Sequence, residues 1–500
     1  MKPERLVDRE AEWALLHDFA TGQGTDLQIA IVSGRRRNGK SFLLDALVEN
    51  VGGMYLTAVQ EEGPVLALLR FVATIAAYAR VPVDSLQLSD WEQALTTALD
   101  VVNQAPGAPL LVIDELPYLL EHSPQITGLL QLIYDRSRLG GGPGGRIILC
   151  GSALSVMTDL LSGTKPLRGR AVVDLRLPAF DYRTSRNFWQ ITDAHTALLL
   201  DACIGGAPGY RALSPGPAPQ TEAEFDDWVT GTLLNPGLAL YSRSEAEYLL
   251  REDPRILHKA LYYDVLSAVA RGASTPSQVG ALLQRQRSAM MAPLETLESS
   301  GYLRRDEDLL RTRKPSVRVA DSIIRFNQLI TSPQADLVER GRARIAWDTS
   351  QPTFHSKILG PHFEEVATEW TRTFAFDEIG ARLGTVGQAE VDDHAARTKH
   401  QVDVMALAPG ERPQTPHAKI ALLGEAKATI QPRGVGDLAR LEHIRSLLTA
   451  GGHPSDDARL ALFSLHGFRA DLERTASERD DIVLVNLKAL YGDEPVPGHS

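Results

Sequence analysis

The chain has 500 residues, 43% of them hydrophobic and 23% charged, and its 52 Lys and Arg against 63 Asp and Glu give a formal net charge of −11. These proportions exclude a disordered or collagen-like chain, and the acidic total argues against a surface coated with basic charge for non-specific nucleic-acid binding. At roughly 150 residues per domain, the length predicts about three domains.

The cysteines and the N-terminus indicate the compartment. Only Cys150 and Cys203 occur, so we expect no disulfide framework and a reducing environment. The first residues are charged where a signal peptide needs an apolar stretch. The most apolar helical segment, from Val65, is interrupted by Arg70 and Arg80, which argues against a membrane span. The sequence therefore predicts a cytoplasmic protein without a membrane partner.

Short apolar runs alternate with amphipathic helical patterns in the first third of the chain. This alternation predicts an α/β sheet with helices on its faces. Gly- and Pro-rich stretches near Pro106 and Gly140 predict loops at the margins of the sheet. The strand candidates are Leu27 to Gly34, Met54 to Ala58, Pro109 to Glu115, Arg146 to Ser152 and Ala171 to Leu177.

The first strand candidate leads into GRRRNGKS, residues 34–41, which fits the pattern G-x-x-x-x-G-K-[ST] in full. A strand before this pattern and a helix after it allow backbone N–H groups and the helix N-terminus to converge on phosphates. We expect Lys40 to reach the β- and γ-phosphates of ATP and Ser41 to bind Mg²⁺. The predicted nucleotide-binding set is Gly34, Arg37, Asn38, Gly39, Lys40, Ser41 and Phe42.

A second part of the site is predicted at the end of the strand LLVIDE. Asp114 is the expected second Mg²⁺ ligand, and Glu115 is the candidate base that orients the attacking water, unless the two residues only cap a strand. Ser152 ends the next strand candidate and either contacts the γ-phosphate or water, or is a bare strand-end serine.

Arginines near these motifs raise a further hypothesis. Arg170, and less strongly Arg168, stand before the fifth strand candidate and could supply positive charge to the γ-phosphate in the same subunit or in a neighbouring one. Arg35, Arg36 and Arg37 within the loop are expected to face solvent or DNA.

From about Thr196 the pattern becomes helical, and three short helices followed by a basic strand-turn-strand predict a winged helix-turn-helix. Thr275 or Ser274 is a candidate N-cap, with Pro276 at the first helical position. From Leu257 to Asp321 ten Lys and Arg stand against seven acids. The predicted phosphate contacts are Arg285, Arg287 and Ser288 at the start of the recognition helix and Arg311, Arg313 and Lys314 on the wing. The alternative is a winged helix that serves only as a spacer.

Together these motifs resemble the archaeal-type ATPases of the STAND/AAA-like P-loop class, which also occur in bacteria. The resemblance runs through LVDREAEWALL, GRRRNGKS, LLVIDE, ILCGS, PLRGRAVVDLRLPAF, GGAPGY and ADSIIRFNQLI. It implies ATP binding and hydrolysis by a switch-like module with an attached effector.

The C-terminal part carries an acidic pattern on two strand candidates. Asp403 lies on one strand, and Glu425-x-Lys427 ends the next. This order resembles that of PD-(D/E)xK nucleases, although Val402 stands where the pattern has Pro. The resemblance implies that Asp403, Glu425 and the helix-borne Glu364 bind Mg²⁺ and that Lys427 activates the attacking water. His394 and His400 are interpreted as solvated loop residues.

The sequence thus predicts an α/β multidomain chain. The predicted domains are a P-loop ATPase core at 1–195, a helical lid at 196–255, a winged helix at 256–330, a linker at 331–352 and a nuclease-like domain at 353–500. The leading hypothesis is a Mg²⁺-dependent ATPase that controls a nuclease-like domain acting on DNA. The alternatives are a nucleotide-dependent DNA-binding protein with a silent nuclease-like domain and an interaction scaffold. Homo-oligomerisation is left open.

Overall fold

The computed structural model describes residues 1–251, 253–256, 259–312 and 316–497. Its N-terminal unit alternates strands and helices. In chain order these are α1 (Glu10–Thr21), β1 (Leu27–Ser33), α2 (Lys40–Val51), β2 (Met54–Thr57), α3 (Pro64–Ala79), α4 (Trp91–Gln104), β3 (Leu110–Asp114), α5 (Leu116–His122), α6 (Ile126–Arg138), β4 (Gly145–Gly151), α7 (Leu154–Asp159) and β5 (Ala171–Arg176).

The five strands of this unit form one parallel sheet in the order β2-β3-β4-β1-β5. Every residue of β3 and β4 is buried, as expected for inner strands covered by helices on both faces. One face packs against α3, α4 and α6, and the other packs against α1 and α2. The predicted α/β sheet with helices on its faces is confirmed, and its strands are all parallel.

The middle of the chain is helical except for one hairpin. Its elements are α8 (Tyr182–Trp189), α9 (Ala194–Ile204), α10 (Glu222–Gly231), α11 (Ser242–Arg251), α12 (Lys259–Ala270), α13 (Pro276–Leu282), α14 (Arg287–Ser299), β6 (Leu303–Asp306), β7 (Ser316–Val319), α15 (Ser322–Phe326), α16 (Ala335–Glu339) and α17 (Ala343–Thr353). The expected N-cap is present, since the Thr275 hydroxyl accepts a hydrogen bond from the N–H of Gln278 at 3.3 Å. We call α12 to α14 with the antiparallel strands β6 and β7 the helix-hairpin unit.

The segment that the sequence predicts as a linker, residues 331–352, differs in the structure. The chain is helical without a break from Ala343 to Thr373, because a π-helical turn at Phe354–Leu359 joins α17 to α18 (Gly360–Thr373). Pro352 lacks an N–H group to donate within the helix, and the wider turn follows it directly. Trp347 is fully buried and packs edge-on against Phe354, so this region forms part of the core.

After α18 the chain forms a second sheet. The remaining elements are α19 (Ala375–Ile379), β8 (Val386–Asp393), β9 (Thr398–Leu407), β10 (Ile420–Lys427), α20 (Val435–Ala450), β11 (Arg459–Ser464), α21 (Ala470–Ser477), β12 (Ile482–Asn486) and α22 (Leu487–Leu490). The strand order is β12-β11-β10-β9-β8. β8, β9 and β10 are antiparallel, whereas β10, β11 and β12 are parallel.

The second sheet and the helical middle share one hydrophobic core. Trp370 of α18 packs against Phe463 of β11 with ring centroids 5.6 Å apart. Near the C-terminus, the hydroxyl of Tyr182 donates to the carbonyl of Leu490 at 2.6 Å. The two units are therefore packed together rather than tethered by a free chain. Among the described residues, no helix combines the length and apolar character needed to cross a bilayer.

Candidate functional site

The loop from Gly34 to Ser41 has a backbone that only certain residues tolerate. Gly39 has φ 87°, in the left-handed region that favours glycine. A Cβ atom at Gly34 would lie 2.6 Å from the carbonyl oxygen of Leu177. Arg37 also has a positive φ of 72°, and its carbonyl accepts a hydrogen bond from the N–H of Gly209 at 2.8 Å. The loop is thus held in a wrapped conformation by its glycines and by a neighbouring turn.

The loop ends at the N-terminus of α2, where Gly39 occupies the N-cap position and has no side chain that could cap the helix. The first N–H groups of α2 are therefore available to an anionic ligand, and the helix dipole favours negative charge there. Lys40 is 6% exposed, and its ammonium group donates to the carbonyl of Arg35 at 3.1 Å. An ammonium group has three donors, so this arrangement leaves hydrogens for phosphate oxygens.

The acidic end of β3 lies at the same edge of the sheet as this loop. Because all strands are parallel, the residues that follow β1, β3 and β4 meet at one edge. Asp114 ends β3, and its Oδ2 accepts a hydrogen bond from the hydroxyl of Tyr55 at 2.7 Å. The hydroxyl of Ser152 donates to Oε2 of Glu115 at 3.1 Å. Glu115 itself has φ 53°, in the left-handed region that few residues other than glycine adopt.

Burial and the negative charge of Asp114 together raise the pKa of the Tyr55 hydroxyl above its ordinary value. Burial, with Asp114 again contributing, also raises the pKa of the Cys150 thiol, so this thiol is inert rather than nucleophilic. Tyr55 therefore stays a hydrogen-bond donor to Asp114. This donation orients the Asp114 carboxylate, leaving its second oxygen to accept the N–H of Glu115 at 2.9 Å.

Tyr55, Asp114 and Glu115 lie in the wall of a cleft of about 580 Å³. Phe42 is 48% exposed, and the guanidinium of Arg36 lies over the ring of Tyr248 at 4.1 Å. The cleft combines aromatic surface with carboxylates and a serine hydroxyl, as a polar ligand with a planar group would need. The lining residues are Arg36, Ser41, Phe42, Asp45, Tyr55, Thr57, Gln60, Asp114, Glu115, Tyr118 and Tyr248.

The prediction that the loop arginines face solvent or DNA is wrong for Arg35 and Arg37. Arg37 forms a bidentate ion pair with Glu245 of α11, with N···O distances of 2.9 and 3.0 Å. Glu245 is only 3% exposed. Arg35 pairs with Asp321 at 2.6 Å and lies over the ring of Tyr302 at 4.8 Å. These contacts exist because the helical middle folds back over the loop and brings carboxylates that are distant in sequence.

Two further predicted residues have structural partners. The side-chain amide of Asn38 donates to the carbonyl of Leu177 at 3.0 Å, so it anchors the loop. Arg170 forms a bidentate ion pair with Asp135 of α6, at 2.9 and 3.0 Å. Arg170 is not among the cleft-lining residues, so in this arrangement its charge is directed at Asp135 rather than at the loop.

The Arg37–Glu245 pair gives a test of how the loop is held. We expect Arg37→Ala, Glu245→Ala and the double variant to show a coupling free energy of about 1–3 kcal/mol, because the buried carboxylate loses its partner. Urea unfolding of the four proteins measures this value. The matched control is the half-exposed pair Arg243–Glu247 on the same helix, for which about 0.3–0.5 kcal/mol is expected. Additive effects at Arg37 and Glu245 would contradict the structural role of the pair.

The C-terminal carboxylates form a second cluster. The Oδ2 atom of Asp403 accepts a hydrogen bond from the N–H of Ala426 at 3.1 Å. The ammonium group of Lys427 lies 3.4 Å from this oxygen and 3.2 Å from Oε1 of Glu425. Arg440 of α20 also donates to Oε1 of Glu425 and, at 3.2 Å, to the carbonyl of Gln401. Burial raises the pKa of Asp403 above its ordinary value. The three predicted residues Asp403, Glu425 and Lys427 therefore meet at one point.

One oxygen of this cluster is without a partner among the described residues. Oε2 of Glu425 is buried and makes no hydrogen bond with any of the described residues. A buried carboxylate oxygen without a hydrogen bond is costly. A hard divalent cation such as Mg²⁺, which prefers oxygen ligands, would satisfy it, so the donor set fits this ion.

Glu364 of α18 is electrostatically coupled to the same cluster. Burial and the negative charge of Asp403 raise the pKa of Glu364 to about 7, while Lys427 and Arg318 oppose the shift. A cation bound between the two carboxylates would relieve the repulsion between their negative charges. Glu364 is therefore electrostatically coupled to Asp403, while its place among the metal ligands stays a prediction.

Four basic residues in and beside the hairpin of the helix-hairpin unit have acidic partners in the chain, namely Arg304, Arg305, Arg311 and Arg318. Arg311 pairs with Glu390 at 3.0 Å and with Asp392 at 2.6 Å, so its predicted role as a free wing contact is wrong. The segment after β6 also pairs with β8, where the N–H of Leu309 donates to the carbonyl of Gln388 at 3.0 Å. Arg313 and Lys314 lie outside the described residues. Arg285, Arg287 and Ser288 are exposed at the start of α14.

Sequence reasoning missed several residues of these sites. Tyr55 interrupts an apolar strand with a hydroxyl, which was an available signal for a polar contact. Glu245, Tyr248 and Arg440 lie on helices far from the motifs, and their spacing gives no signal. Such contacts depend on how distant segments pack.

Comparisons with known proteins give distant likenesses. No protein-family model matches the chain. A protein of Methanocaldococcus jannaschii described as uncharacterized is 23% identical over 372 residues, which span 73% of this chain and 77% of the relative. The Walker-type ATPase of Pyrococcus abyssi is 19% identical with a TM-score of 0.48, covering 65% of this chain and 97% of that protein. The ORC2 protein of Aeropyrum pernix is 15% identical with a TM-score of 0.43, covering 69% and 97% respectively.

Proposed function

We propose that the N-terminal unit binds and hydrolyses ATP. The observation that carries this proposal is that three features lie at one edge of the sheet. They are the glycine loop with Lys40, the Asp114 carboxylate, and the Glu115 carboxylate that accepts a hydrogen bond from Ser152. The loop N–H groups and Lys40 bind the phosphates, and Phe42 offers aromatic surface at the cleft.

Ser41 and Asp114 are the residues that would hold Mg²⁺, which supplies charge stabilisation at the phosphates when bound. Glu115 accepts a proton from the attacking water and orients it, while Ser152 holds the carboxylate in place. Tyr55 fixes the Asp114 carboxylate by hydrogen bonding. Arg170 is proposed only as a residue that could act on a neighbouring subunit after its release from Asp135.

The test is phosphate release from ATP by the purified full chain. We expect release that requires Mg²⁺ and that is abolished by a chelator, because Ser41 and Asp114 are oxygen ligands suited to a hard cation. Failure of the protein to bind ATP or to release phosphate with Mg²⁺ present would contradict the proposal.

We further propose that the C-terminal sheet carries a metal-dependent phosphodiester hydrolase of the nuclease-like type, acting on DNA. The observation in its favour is the convergence of Asp403, Glu425 and Lys427, with Glu364 coupled to them. The carboxylates would hold Mg²⁺, which supplies a Lewis acid beside the phosphate when bound. Lys427 orients the attacking water and stabilises negative charge.

The helix-hairpin unit is proposed as a winged helix that positions DNA. Because the wing arginine Arg311 is paired within the chain, the duplex contact is assigned to Arg285 and Arg287 at the exposed start of α14. ATP then sets the relation between the modules, since Arg35 of the loop pairs with Asp321 at the end of this unit. In the alternative function, the C-terminal site is silent and ATP only changes DNA affinity.

Incubation with supercoiled plasmid and Mg²⁺ or Mn²⁺, under ATP, ADP and no nucleotide, separates these functions. Nicking supports the hydrolase, whereas a nucleotide-dependent change in DNA affinity without nicking supports the alternative. Affinity that falls steeply with salt indicates phosphate contacts. Absence of any DNA binding across the salt series would contradict both and leave a nucleotide-dependent scaffold.

A further inference from the structure

Three side chains outside both proposed sites converge at the end of the β8–β9 hairpin. Asp393 ends β8, His400 lies near the start of β9, and His443 lies on α20. The Nε2 atom of His443 is 2.8 Å from Oδ2 of Asp393, and the Nε2 atom of His400 is 3.6 Å from the same oxygen. One potential ligand atom from each residue lies within 4.8 Å of the other two.

Among these ligand atoms, Nε2 of His443 and Oδ2 of Asp393 are hydrogen-bonded to each other, and Nε2 of His400 has no hydrogen-bond partner among the described residues. Oδ1 of Asp393 accepts the N–H of Ala396 at 2.9 Å, which fixes the carboxylate and directs Oδ2 at the imidazoles. The Nε2 atom of His400 is buried. The two rings meet edge to face, with centroids 5.5 Å apart and planes at 84°. They are therefore not stacked on each other, and their Nε2 atoms approach a common point.

The separations suit a small transition-metal ion. Zn²⁺ binds imidazole nitrogen and carboxylate oxygen at about 2.0–2.2 Å, so two ligands of a tetrahedral site lie about 3.3 Å apart. The two observed separations, 2.8 and 3.6 Å, lie on either side of this value. Imidazole ligands favour Zn²⁺ and its first-row neighbours over Mg²⁺. His443 is 51% exposed, so the cluster is accessible to solvent at the side of α20.

We propose that Asp393, His400 and His443 form a binding site for a divalent first-row transition-metal ion, with Zn²⁺ as the representative ion. The sequence interpretation of His400 as a solvated loop residue is thereby replaced. The bound ion ties the end of the β8–β9 hairpin to α20. This site is independent of the proposed nucleotide and nuclease-like sites, because its ligand atoms are different.

The ion would also lie near the carboxylate cluster in the fold. Arg440, one turn before His443 on α20, donates to Glu425 and to the carbonyl of Gln401, the residue after His400. A metal bound to His400 and His443 therefore holds β9 and α20 together, and the contact between Arg440 of α20 and Gln401 of β9 lies between these two elements. The ion has a positioning role in this arrangement and contacts no substrate.

The test is equilibrium dialysis of the tag-free full chain, stripped with a chelator and titrated with Zn²⁺. We expect the wild type to bind one ion that His400→Ala and His443→Ala bind at least about tenfold more weakly. His394→Ala is the matched control, because His394 is exposed in the same hairpin and outside the cluster. Glu425→Gln should bind this ion as the wild type does, which separates the site from the carboxylate cluster.

A spectroscopic readout keeps the proposal testable if an alanine variant is unstable. Co²⁺ added to the wild type should give the visible absorption of a nitrogen- and oxygen-bound ion, and the isosteric change Asp393→Asn should weaken it. The proposal is overturned if the wild type binds no Zn²⁺, or if His400→Ala and His443→Ala bind Zn²⁺ with wild-type affinity and stoichiometry.

Discussion

Replacing Lys40 with alanine is expected to lower the rate of ATP hydrolysis by at least about a hundredfold. This is the usual effect of removing one hydrogen-bond donor that stabilises negative charge in the transition state. Lys40 is buried at the start of α2, and one carbonyl holds its ammonium group beside the loop. Alanine removes this charge and leaves the loop glycines and α2 in place. The measurement is steady-state phosphate release with Mg²⁺ present.

Two controls separate this effect from misfolding. Lys165→Ala removes an exposed lysine of the same unit, paired with Asp159 at 2.9 Å, and should hydrolyse ATP as the wild type does. The Lys40→Ala protein should retain the cooperative thermal unfolding of the wild type, because its contact with the Arg35 carbonyl is a single hydrogen bond. Undiminished hydrolysis in folded Lys40→Ala would refute the assignment of the loop.

Changing Glu425 to glutamine is expected to lower metal-dependent DNA cleavage by at least about a hundredfold. This loss is larger than that caused by removing a residue that only orients a metal ligand. The buried Oε2 atom of Glu425 makes no hydrogen bond within the described residues, and the substitution replaces carboxylate by amide with little change in shape. Lys427→Ala should have an effect of similar size, since Lys427 contacts both Asp403 and Glu425. Plasmid nicking with Mg²⁺ or Mn²⁺ measures both variants.

ATP hydrolysis distinguishes loss of cleavage from loss of the fold. Glu425→Gln and Lys427→Ala should hydrolyse ATP as the wild type does, because the C-terminal cluster shares no residue with the N-terminal cleft. Asp457→Asn changes an exposed carboxylate on the loop before β11 and should leave cleavage unchanged. Cleavage that persists in both Glu425→Gln and Lys427→Ala would assign it to another site or to a contaminant.

The arrangement of the proposed nucleotide site was largely predictable because its signals are local. The glycine loop, Lys40 and Ser41 are contiguous in sequence, and the apolar run before Asp114 marks an inner strand. The parallel sheet then brings Asp114 and Ser152 to the edge that follows β1. Periodicity and turn residues suffice for such features, since each depends on a few neighbouring residues.

The contacts between segments were not predictable from one sequence. The ion pair of Arg37 with Glu245 joins residues 208 positions apart, and the pair of Arg311 with Glu390 joins residues 79 apart. Arginine and glutamate are ordinarily solvated, so their residue types alone do not indicate burial. The continuous helix through Pro352 was missed for a similar reason. Proline usually marks a boundary, but here a π-helical turn and the packing of Trp347 carry the helix past it.

The central claim is that the N-terminal cleft hydrolyses ATP with Glu115 as the residue that activates water. Its most direct test is single-turnover phosphate release by the wild type and by Glu115→Gln, each loaded with ATP and Mg²⁺. We predict that the variant keeps bound ATP but releases phosphate at least about a hundredfold more slowly than the wild type. Equal rates of phosphate release from the two proteins would contradict the claim.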